Sequence, residues 1–260
     1  MSPNDPFAQL ARYYDPIMDH VNYDRWLIVA TGLCELLPAP FRHADVGCGT
    51  GTLLRMLQRG GWQSVGLDFS PAMLRAARKR SEEIPLVCAD MRALPLAGSV
   101  GFITCLFDSL NFLLDDGGID ETFRSFYDAL TPEGLLYFDI VTERMVTEHF
   151  NNQGWIEDNG RFTTRWASTY NQSTSITETS IRVNTQQPAL IRERIYAPEQ
   201  IEQAAERAGF HILSVLDAER WRKPTPRSTR LDFIVWKGDL SGQRNKVKRV
   251  IRDLRPLLEM

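Results

Sequence analysis

The segment between Phe41 and Asp68 constrains the fold more than any other part of the chain. Its pattern predicts a short strand over residues 43–46, an amphipathic helix, and a second strand that ends at Asp68. The glycine loop between the first strand and the helix contains Gly47, Gly49 and Gly51. Glycines here let the backbone approach a ligand and turn into a helix whose N-terminal amides point at the site. The segment therefore predicts a βαβ unit with a ligand loop at the carboxyl end of its first strand.

The spacing of this loop argues against a dinucleotide. The glycines follow G-x-G-x-G, and the sixth position of the dinucleotide pattern G-x-G-x-x-G holds Thr52 or Leu54, depending on the starting glycine. Asp45, just before the loop, would repel a pyrophosphate but could attract an ammonium group. The predicted ligand is an adenosine compound without phosphates, and Asp68 is placed to accept hydrogen bonds from both ribose hydroxyls.

Four motifs, in this order, resemble those of the class I S-adenosylmethionine-dependent methyltransferases. They are DVGCGTG at the glycine loop, GLDFSPAML at the second strand and its turn, CADMRALP after the third strand, and LTPEGLLYFDI at the fifth strand. The resemblance is strong over residues 10–142 and rests on topology alone in the last third. The chain departs from the family at Glu133, where a second glycine is usual, and at Gly101, where an aspartate is frequent. The resemblance implies an α/β fold with a Rossmann-like, seven-stranded, mostly parallel sheet, helices on both faces, and S-adenosyl-L-methionine as cofactor.

The cofactor half supplies most of the candidate binding residues. Ser70 is the predicted N-cap of a helix, with Pro71 at its first position. Met73 would face the adenine from the first turn of this helix or pack in the core. The resemblance implies that Asp90 accepts the exocyclic amine of adenine while the Met91 amide donates to a ring nitrogen, and a solvated turn aspartate is the alternative. The full predicted cofactor set is Tyr23, Asp45, Gly47, Gly49, Gly51, Asp68, Phe69, Met73, Asp90, Met91 and Phe107.

Candidate acceptor-site residues lie near the N-terminus and after the fourth strand. In small-molecule methyltransferases, a segment similar to ARYYDPIMDHVNYDRW commonly folds over the cofactor, so the resemblance brings Tyr14 or Tyr23 to cofactor or substrate. Simple aromatic packing is the alternative. Asp108 and Asn111 follow an apolar strand, where they could orient an acceptor nucleophile, although Asn111 could equally serve a helix or turn. The predicted catalytic residues are Tyr14, Asp108 and Asn111, and no metal ligand is predicted.

Residues 143–197 follow a different pattern. A short helix over residues 143–150 precedes three alternating runs, RFTTRWASTYN, TSITETSIRVN and ALIRERIYA, which predict an antiparallel β-insertion after the fifth strand. Arg165 and Trp166 are adjacent in a strand and must point to opposite faces. We expect one face of the insertion to roof the acceptor and the other to form a homodimer contact. The candidates for these two uses are Trp155, Arg165, Trp166 and Tyr170.

The length of 260 residues suits one methyltransferase domain with an elaboration. A helix is predicted over residues 24–37, and the helix before the fifth strand is expected to end at Pro132 and Gly134. We divide the domain into an N-terminal lid and helix (1–40), a cofactor-binding half (41–142), the β-insertion (143–197), a C-terminal part of the sheet (198–238) and a basic tail helix (239–260). The tail resembles an exposed amphipathic helix, which is expected to be solvated or packed against a partner, with nucleic-acid contact as the alternative.

The composition is that of a soluble globular protein, with 43% hydrophobic and 24% charged residues. A net charge of -3 gives no general attraction to nucleic acid or to anionic membranes, so neither is expected as a partner. No apolar run approaches the ~20 residues of a membrane span, and the N-terminus lacks a signal-peptide layout. The four cysteines show no C-x-x-C pairing and fall in or beside predicted core elements, which predicts buried reduced thiols, with a metal site or disulfides as the alternative, and a cytoplasmic enzyme.

The resemblance implies transfer of a methyl group to an N or O atom of a small-molecule acceptor by in-line displacement. Because the sulfonium already activates the methyl group, the protein need supply mainly positioning, desolvation and, for a protonated nucleophile, a base. Neither a [DN]PPY sequence nor a Pro-Cys motif, which would indicate methylation of nucleobases, follows the fourth strand. A protein or nucleic-acid methyltransferase and a non-catalytic cofactor-binding regulator remain as alternatives.

Overall fold

A computed structural model describes residues 5–81 and 83–258, so the ends of the predicted lid (1–4) and tail (259–260) lie outside the described residues. The helices are α1 (Tyr14–Ile17), α2 (Tyr23–Leu33), α3 (Thr52–Arg59), α4 (Pro71–Arg78), α5 (Gly118–Ala129), α6 (Glu143–His149), α7 (Pro198–Arg207) and α8 (Gln243–Leu258). The strands are β1 (His43–Val46), β2 (Ser64–Asp68), β3 (Leu86–Cys88), β4 (Val100–Cys105), β5 (Leu130–Val141), β6 (Gln153–Asp158), β7 (Thr163–Asn171), β8 (Ile176–Val183), β9 (Ala189–Arg194), β10 (His211–Asp217) and β11 (Arg230–Lys237).

The main sheet has seven strands in the order β10-β11-β5-β4-β1-β2-β3. Neighbouring strands run parallel except for β11, which is antiparallel to both β5 and β10. The order reverses at β1 and β4, which lie side by side although they are not consecutive in the chain. In open α/β sheets, ligands bind beyond the carboxyl ends of the strands at such a reversal. The predicted mostly parallel, Rossmann-like sheet is confirmed.

Helices bury apolar side chains on both faces of this sheet. Phe123 of α5 and Ile201 of α7 belong to the cluster on one face. Leu33 of α2, Leu57 of α3 and Val250 of α8 belong to the cluster on the other face. The strands between the layers are therefore covered on both sides, which explains why β4 reads as an unbroken apolar run with every residue buried.

The predicted βαβ unit is confirmed with its boundaries. The strand over residues 43–46 is β1, and the second strand ends at Asp68 as β2. The Ser70 side chain caps α4 by accepting a hydrogen bond from the backbone N–H of Met73 at 3.1 Å, and Pro71 follows as the first helical residue. Local sequence chemistry thus fixes the chain on both sides of the glycine loop.

The β-insertion is confirmed as a separate antiparallel sheet in the order β6-β7-β8-β9. It has one strand more than the three predicted runs, because β6, which contains a glycine and carries exposed residues, has no regular apolar alternation. The buried side chains of β8 and β9, among them Ile181 and Ile191, pack against Leu10 and Ile17 of the N-terminal segment. The insertion therefore holds the N-terminal segment against the body of the protein.

Two predictions near helix ends are wrong. Helix α5 ends at Ala129, and Pro132 and Gly134 belong to β5, which starts at once after the helix. The tail helix α8 is basic on its outer side, but Val247, Val250, Ile251 and Leu254 are buried against α2. Its apolar stripe is part of the core rather than an exposed surface, because α2 offers it a long apolar face.

The cysteines are free thiols, as expected. Cys48 and Cys105 are buried and Cys34 is partly buried, but Cys88 at the end of the edge strand β3 is exposed, contrary to the prediction of four buried thiols. An edge position leaves one side of a strand without a neighbour, which accounts for this difference.

Candidate active site

A cavity of about 770 Å³ opens at the carboxyl edge of β1, β2 and β4. Its walls come from the N-terminal segment, the glycine loop, the turns that follow β2, β3 and β4, and the edge strand β9. Ten of the eleven predicted cofactor residues line it: Tyr23, Asp45, Gly47, Gly49, Asp68, Phe69, Met73, Asp90, Met91 and Phe107. Of the three predicted catalytic residues, Tyr14 lines the cavity, whereas Asp108 and Asn111 do not.

The three loop glycines have different roles. Gly49 has a φ of +54°, and a Cβ atom built on it would meet nothing within 4 Å, so its backbone faces the open cavity. A Cβ on Gly47 would collide with the side chain of Ser109. Gly51 does not line the cavity; its φ of +72° starts α3, so glycine is required there for backbone conformation rather than for ligand contact.

Asp68 is held in place by two backbone donors. The N–H of Gly49 donates to its Oδ2 and the N–H of Ser70 to its Oδ1, each at 2.7 Å. Burial raises the pKa of Asp68 to about 6, although the two amides oppose this shift. Each carboxylate oxygen has two lone pairs, so each keeps one acceptor site for a hydroxyl in the cavity.

Asp45 is the most deeply buried acid of the cavity wall, with 4% of its surface exposed. The hydroxyl of Thr104 donates to its Oδ1 at 2.6 Å. Burial raises the pKa of Asp45 to about 7. The pKa of the neighbouring Tyr23 rises to about 12 through burial and the charge of Asp45, so the phenol stays protonated and can donate a hydrogen bond.

Asp90 is engaged by a residue that sequence reasoning missed. The backbone N–H of Arg92 donates to its Oδ1 at 2.9 Å, and the guanidinium donates to both carboxylate oxygens at 2.5 to 3.0 Å. These bonds lower the pKa of Asp90 and occupy most of its acceptor sites. An adenine amine at this place would share the carboxylate with Arg92, which itself lines the cavity.

Aromatic rings border the inner part of the cavity. Tyr23 packs edge-on against Trp26 at 5.4 Å between ring centroids, and Trp26 lies 5.6 Å from Phe107. Tyr14 packs against Phe7 at 6.1 Å, and Phe7 also contacts a ring after β4. Phe7 and Trp26 were not predicted, although both lie in the aromatic N-terminal segment whose tyrosines were singled out.

The chain after β4 is strained and held by a buried ion pair. Phe107 and Asp108 have φ values of 58° and 51°, which non-glycine residues rarely adopt. Their backbone N–H groups donate to the two carboxylate oxygens of Asp139, at 2.6 and 3.1 Å. Arg230 binds Asp139 as well as Asp108, the latter at 2.6 Å, so Asp108 is part of an ion-pair cluster behind the cavity wall. Glu193 of β9 lies beside Asp108, and burial together with the charge of Asp108 raises its pKa well above the usual range.

The buried side chain of Asn111 bonds to the backbone of two strands. Its side chain is fully buried, its amide nitrogen donates to the carbonyl of Arg194 at 2.8 Å, and its oxygen accepts from the N–H of Val141 at 3.3 Å. Both polar groups bond to backbone and the side chain does not line the cavity, which fits the alternative of a structural turn residue; the predicted part in orienting an acceptor stays a prediction. The same contacts tie β9 to the end of β5.

The insertion reaches the cavity through β9 rather than through the predicted aromatic residues. Leu190 and Arg192 line the cavity, whereas Trp155, Arg165, Trp166 and Tyr170 do not. The two indoles stack on each other at 5.2 Å, and Glu157 accepts a hydrogen bond from each of their N–H groups. The expected opposite orientation of Arg165 and Trp166 is confirmed, because the arginine is exposed and the indole is partly buried against the apolar side chains that join the insertion to the N-terminal segment.

In the described part of the chain, no cluster of three or more His, Cys, Asp or Glu side chains is arranged to hold a metal ion. No helix within residues 5–81 and 83–258 is both long and apolar enough to span a membrane.

Sequence comparison finds methyltransferases. A family model described as "Methyltransferase domain" matches residues 44–134. The YqeM protein of Bacillus subtilis, named provisionally as a methyltransferase, is 30% identical over 166 residues, which are 62% of this chain and 66% of that protein. A demethylmenaquinone methyltransferase of Thermus thermophilus is 34% identical over 140 residues, which are 50% of this chain and 61% of that protein. This chain therefore spans less than two thirds of the length of either relative.

Structural comparison extends the similarity to nearly the whole chain. An S-adenosylmethionine-dependent methyltransferase from Clostridium acetobutylicum has a TM-score of 0.75 at 23% identity, covering 90% of this chain and 99% of that one. The S-adenosylmethionine-bound amino pentose methyltransferase CalS10 from Micromonospora echinaspora has a TM-score of 0.67 at 20% identity, covering 87% and 95%. The open space above Gly49 and the free acceptor sites of Asp68 fit the adenosine part of this cofactor. The family match at residues 44–134 and the sequence relatives make the chain a methyltransferase, and the solved structures show that its fold is that of the class I S-adenosylmethionine-dependent methyltransferases.

Proposed function

We propose that the enzyme methylates an N or O atom of a small-molecule acceptor by in-line displacement. This proposal rests on one observation: the cavity is partly covered by other segments of the chain. The N-terminal segment lies over the carboxyl edge of the sheet, with Phe7 and Tyr14 in the cavity wall, and β9 of the insertion closes another side. A cavity of about 770 Å³ falls within the range of small-molecule sites, whereas a covered site suits a nucleic-acid strand or a folded protein poorly.

Cofactor recognition follows from the polar groups of the cavity wall. We assign Asp68 to the ribose hydroxyls, Asp90 and the Met91 amide to the adenine, and Asp45 to the ammonium group of the methionine part. Phe69 is 52% exposed at the cavity rim, where its ring can cover the adenosine. S-adenosylmethionine, when bound, supplies a methyl group that its sulfonium activates for displacement.

The chain's own contribution to the reaction is positioning and exclusion of water. Burial, followed by the nearby charges, raises the pKa of Tyr14 well above its usual value, so the phenol stays protonated and serves as a hydrogen-bonding group rather than as a base. Asp108 and Glu193 contribute to this shift, but Asp108 is paired with Arg230 and burial raises the pKa of Glu193 well above its usual range, so neither gives the cavity an unpaired negative charge at neutral pH. Relatives named as N,N-dimethyltransferases of amino sugars support an acceptor that carries an amine.

The acceptor class can be tested directly. Transfer of a labelled methyl group should be measured with panels of amines, phenols and carboxylates, and with RNA, DNA and protein fractions as competitors. We expect turnover in the amine or phenol panel. Transfer confined to the macromolecules would contradict the proposal.

A pair of arginine variants tests the part of β9. Arg192 lines the cavity, whereas Arg182 is exposed on β8 and lies outside the cavity wall. Arg192→Ala should change the KM of the acceptor and leave the cofactor Kd unchanged, and Arg182→Ala should change neither. Equal effects of the two variants would remove β9 from the acceptor site.

The homodimer contact through the insertion stays a proposal. The face of its sheet away from the N-terminal segment carries Arg165, Glu178 and Arg182, and Ile156 on the edge strand β6 is 59% exposed. Arg192, which lines the cavity, pairs with Glu178 on this same face at 2.6 Å, so a contact would lie beside the cavity. A contact there would be largely polar around one apolar side chain. Light scattering of the full chain should give the mass of two chains, and the mass of one chain would contradict the proposal.

A further inference from the structure

A buried hydrogen-bond chain runs through the sheet to Asp45. His43 and Asp45 are two residues apart on β1 and therefore share one face of the strand. The two nitrogens of His43 lie 3.0 Å from the Ser64 hydroxyl, on β2, and 2.9 Å from the Thr104 hydroxyl, on β4. Thr104 donates in turn to Asp45 at 2.6 Å. His43, Thr104 and Asp45 are each at most 4% exposed, so bulk water does not compete for these bonds.

The direction of the chain follows from counting protons. Burial lowers the pKa of His43 to about 3, so its ring is neutral and has one N–H and one acceptor nitrogen. The single proton of Thr104 is used on Asp45, so Thr104 must accept from Nε2–H of His43. Nδ1 of His43 then accepts from Ser64. All three donors point toward Asp45, an arrangement in which each bond strengthens the next and favours the ionised carboxylate.

The other titratable groups around Asp45 do not favour its charge. Asp68 repels it and Tyr23 is a neutral phenol. The thiols of Cys48 and Cys105 feel the charge of Asp45 and have pKa values well above the usual range through burial, so they are neutral as well. The Thr104 hydroxyl is the group that lowers the pKa of Asp45.

We propose that His43 and Thr104 are positioning residues for cofactor binding, which orient the Asp45 carboxylate and keep it charged for the ammonium group of the cofactor. The inference rests on the proposed contact between Asp45 and that ammonium group. His43 and Thr104 lie outside the cavity wall and would act on the cofactor through Asp45.

Two ligands separate this role from ordinary stability. S-adenosylhomocysteine carries the ammonium group and 5′-methylthioadenosine lacks it, while both present the ribose to Asp68. The Kd of each ligand should be measured by calorimetry from about pH 5 to about pH 8. The difference between the two binding free energies reports the ionisation of Asp45, because the contribution of Asp68 is common to both ligands. In the wild type this difference should grow as the pH rises, with the midpoint of the change near the Asp45 pKa of about 7.

Thr104→Val and Thr104→Ser form a matched pair. The valine removes the donor without changing the shape and should move the midpoint up by roughly 1 pH unit, which weakens S-adenosylhomocysteine binding about fivefold at neutral pH. The serine keeps the hydroxyl and should restore the wild-type midpoint. The valine should also raise the KM of the cofactor by a similar factor, and the serine should not.

A histidine pair makes the same comparison if Thr104→Val does not fold. His43→Gln keeps an N–H donor for Thr104, whereas His43→Leu has none, so only the leucine variant should shift the midpoint. An unchanged midpoint in Thr104→Val or His43→Leu would overturn the inference, as would an equal shift for both ligands. A wild type with no pH-dependent difference between the ligands would also overturn it, whereas methyl transfer to a small molecule would show that the proposed function still stands.

Discussion

Replacing Asp68 with alanine should weaken binding of S-adenosylhomocysteine strongly. The carboxylate is fixed by the amides of Gly49 and Ser70, which leaves one acceptor site on each oxygen for a ribose hydroxyl. Hydrogen bonds to a charged group contribute about 2 to 3 kcal/mol to the binding free energy, net of the bonds to water that they replace. That corresponds to a Kd roughly 30- to 150-fold higher. Titration calorimetry at a pH above the Asp68 pKa of about 6 measures it with the carboxylate ionised.

Controls for Asp68→Ala separate binding from folding. Alanine also leaves two backbone amides without their side-chain partner, so urea unfolding should show a loss of roughly 1 to 3 kcal/mol in the free energy of unfolding. Asp68→Asn keeps one carbonyl acceptor and should bind with intermediate affinity. Asp128→Ala, on an exposed aspartate outside the cavity wall, should bind normally. Asp68→Ala binding within about twofold of the wild type would refute the assignment, and a wild type that binds NAD instead would refute the cofactor.

Three further predictions address the loop, the tail and the pH dependence of stability. Gly49→Val should abolish cofactor binding in a folded protein, because its side chain would enter the cavity; Gly61→Val, also at positive φ with nothing within 4 Å but outside the cavity wall, should bind normally by calorimetry. Leu254→Ala should cost roughly 2 to 5 kcal/mol in urea unfolding because α8 packs in the core, whereas the 51% exposed Leu257 should tolerate alanine within about 0.5 kcal/mol. Asp45 has a folded-state pKa of about 7, above its unfolded value of 3.8, so burying its charge becomes costly as the pH rises. The free energy of unfolding should therefore fall by up to roughly 4 kcal/mol as the pH rises between these two values and then level off, and Asp45→Asn should flatten this slope in urea titrations.

The cofactor half could be predicted from sequence because its determinants are local. The end of β1, the loop glycines and the Ser70 cap are each specified by residues within a few positions, so the boundaries agree with the structure. Alternating apolar and polar residues also revealed β7, β8 and β9. The edge strand β6 carries no such pattern, since a strand with exposed residues on both faces needs no apolar alternation.

Pairings across long sequence separations could not be predicted. Arg230 meets Asp139 and Asp108 from positions about 90 and 120 residues away, and a buried acid in the middle of an apolar strand was the available signal that such a partner exists. Likewise, the basic residues of α8 indicated a solvated helix, whereas its apolar stripe is buried because α2 lies beside it. Which charged groups meet depends on strand order, and strand order is a property of the whole sheet.

Asn111 shows how a correct location can carry a different role. The residue does follow β4 at the carboxyl edge of the sheet, where acceptor-binding residues are expected, but both of its polar groups are bound to backbone of β5 and β9. Because Leu190 and Arg192 of β9 line the cavity, the position of that strand sets the width of the cavity at the end where we propose that the acceptor binds. The cofactor end is therefore built from loops of the sheet itself, whereas the acceptor end depends on where the insertion is fastened. Asn111 contributes to that connection together with the ion pair between Arg194 and Asp116, so different insertions could change the acceptor while the cofactor site stays the same.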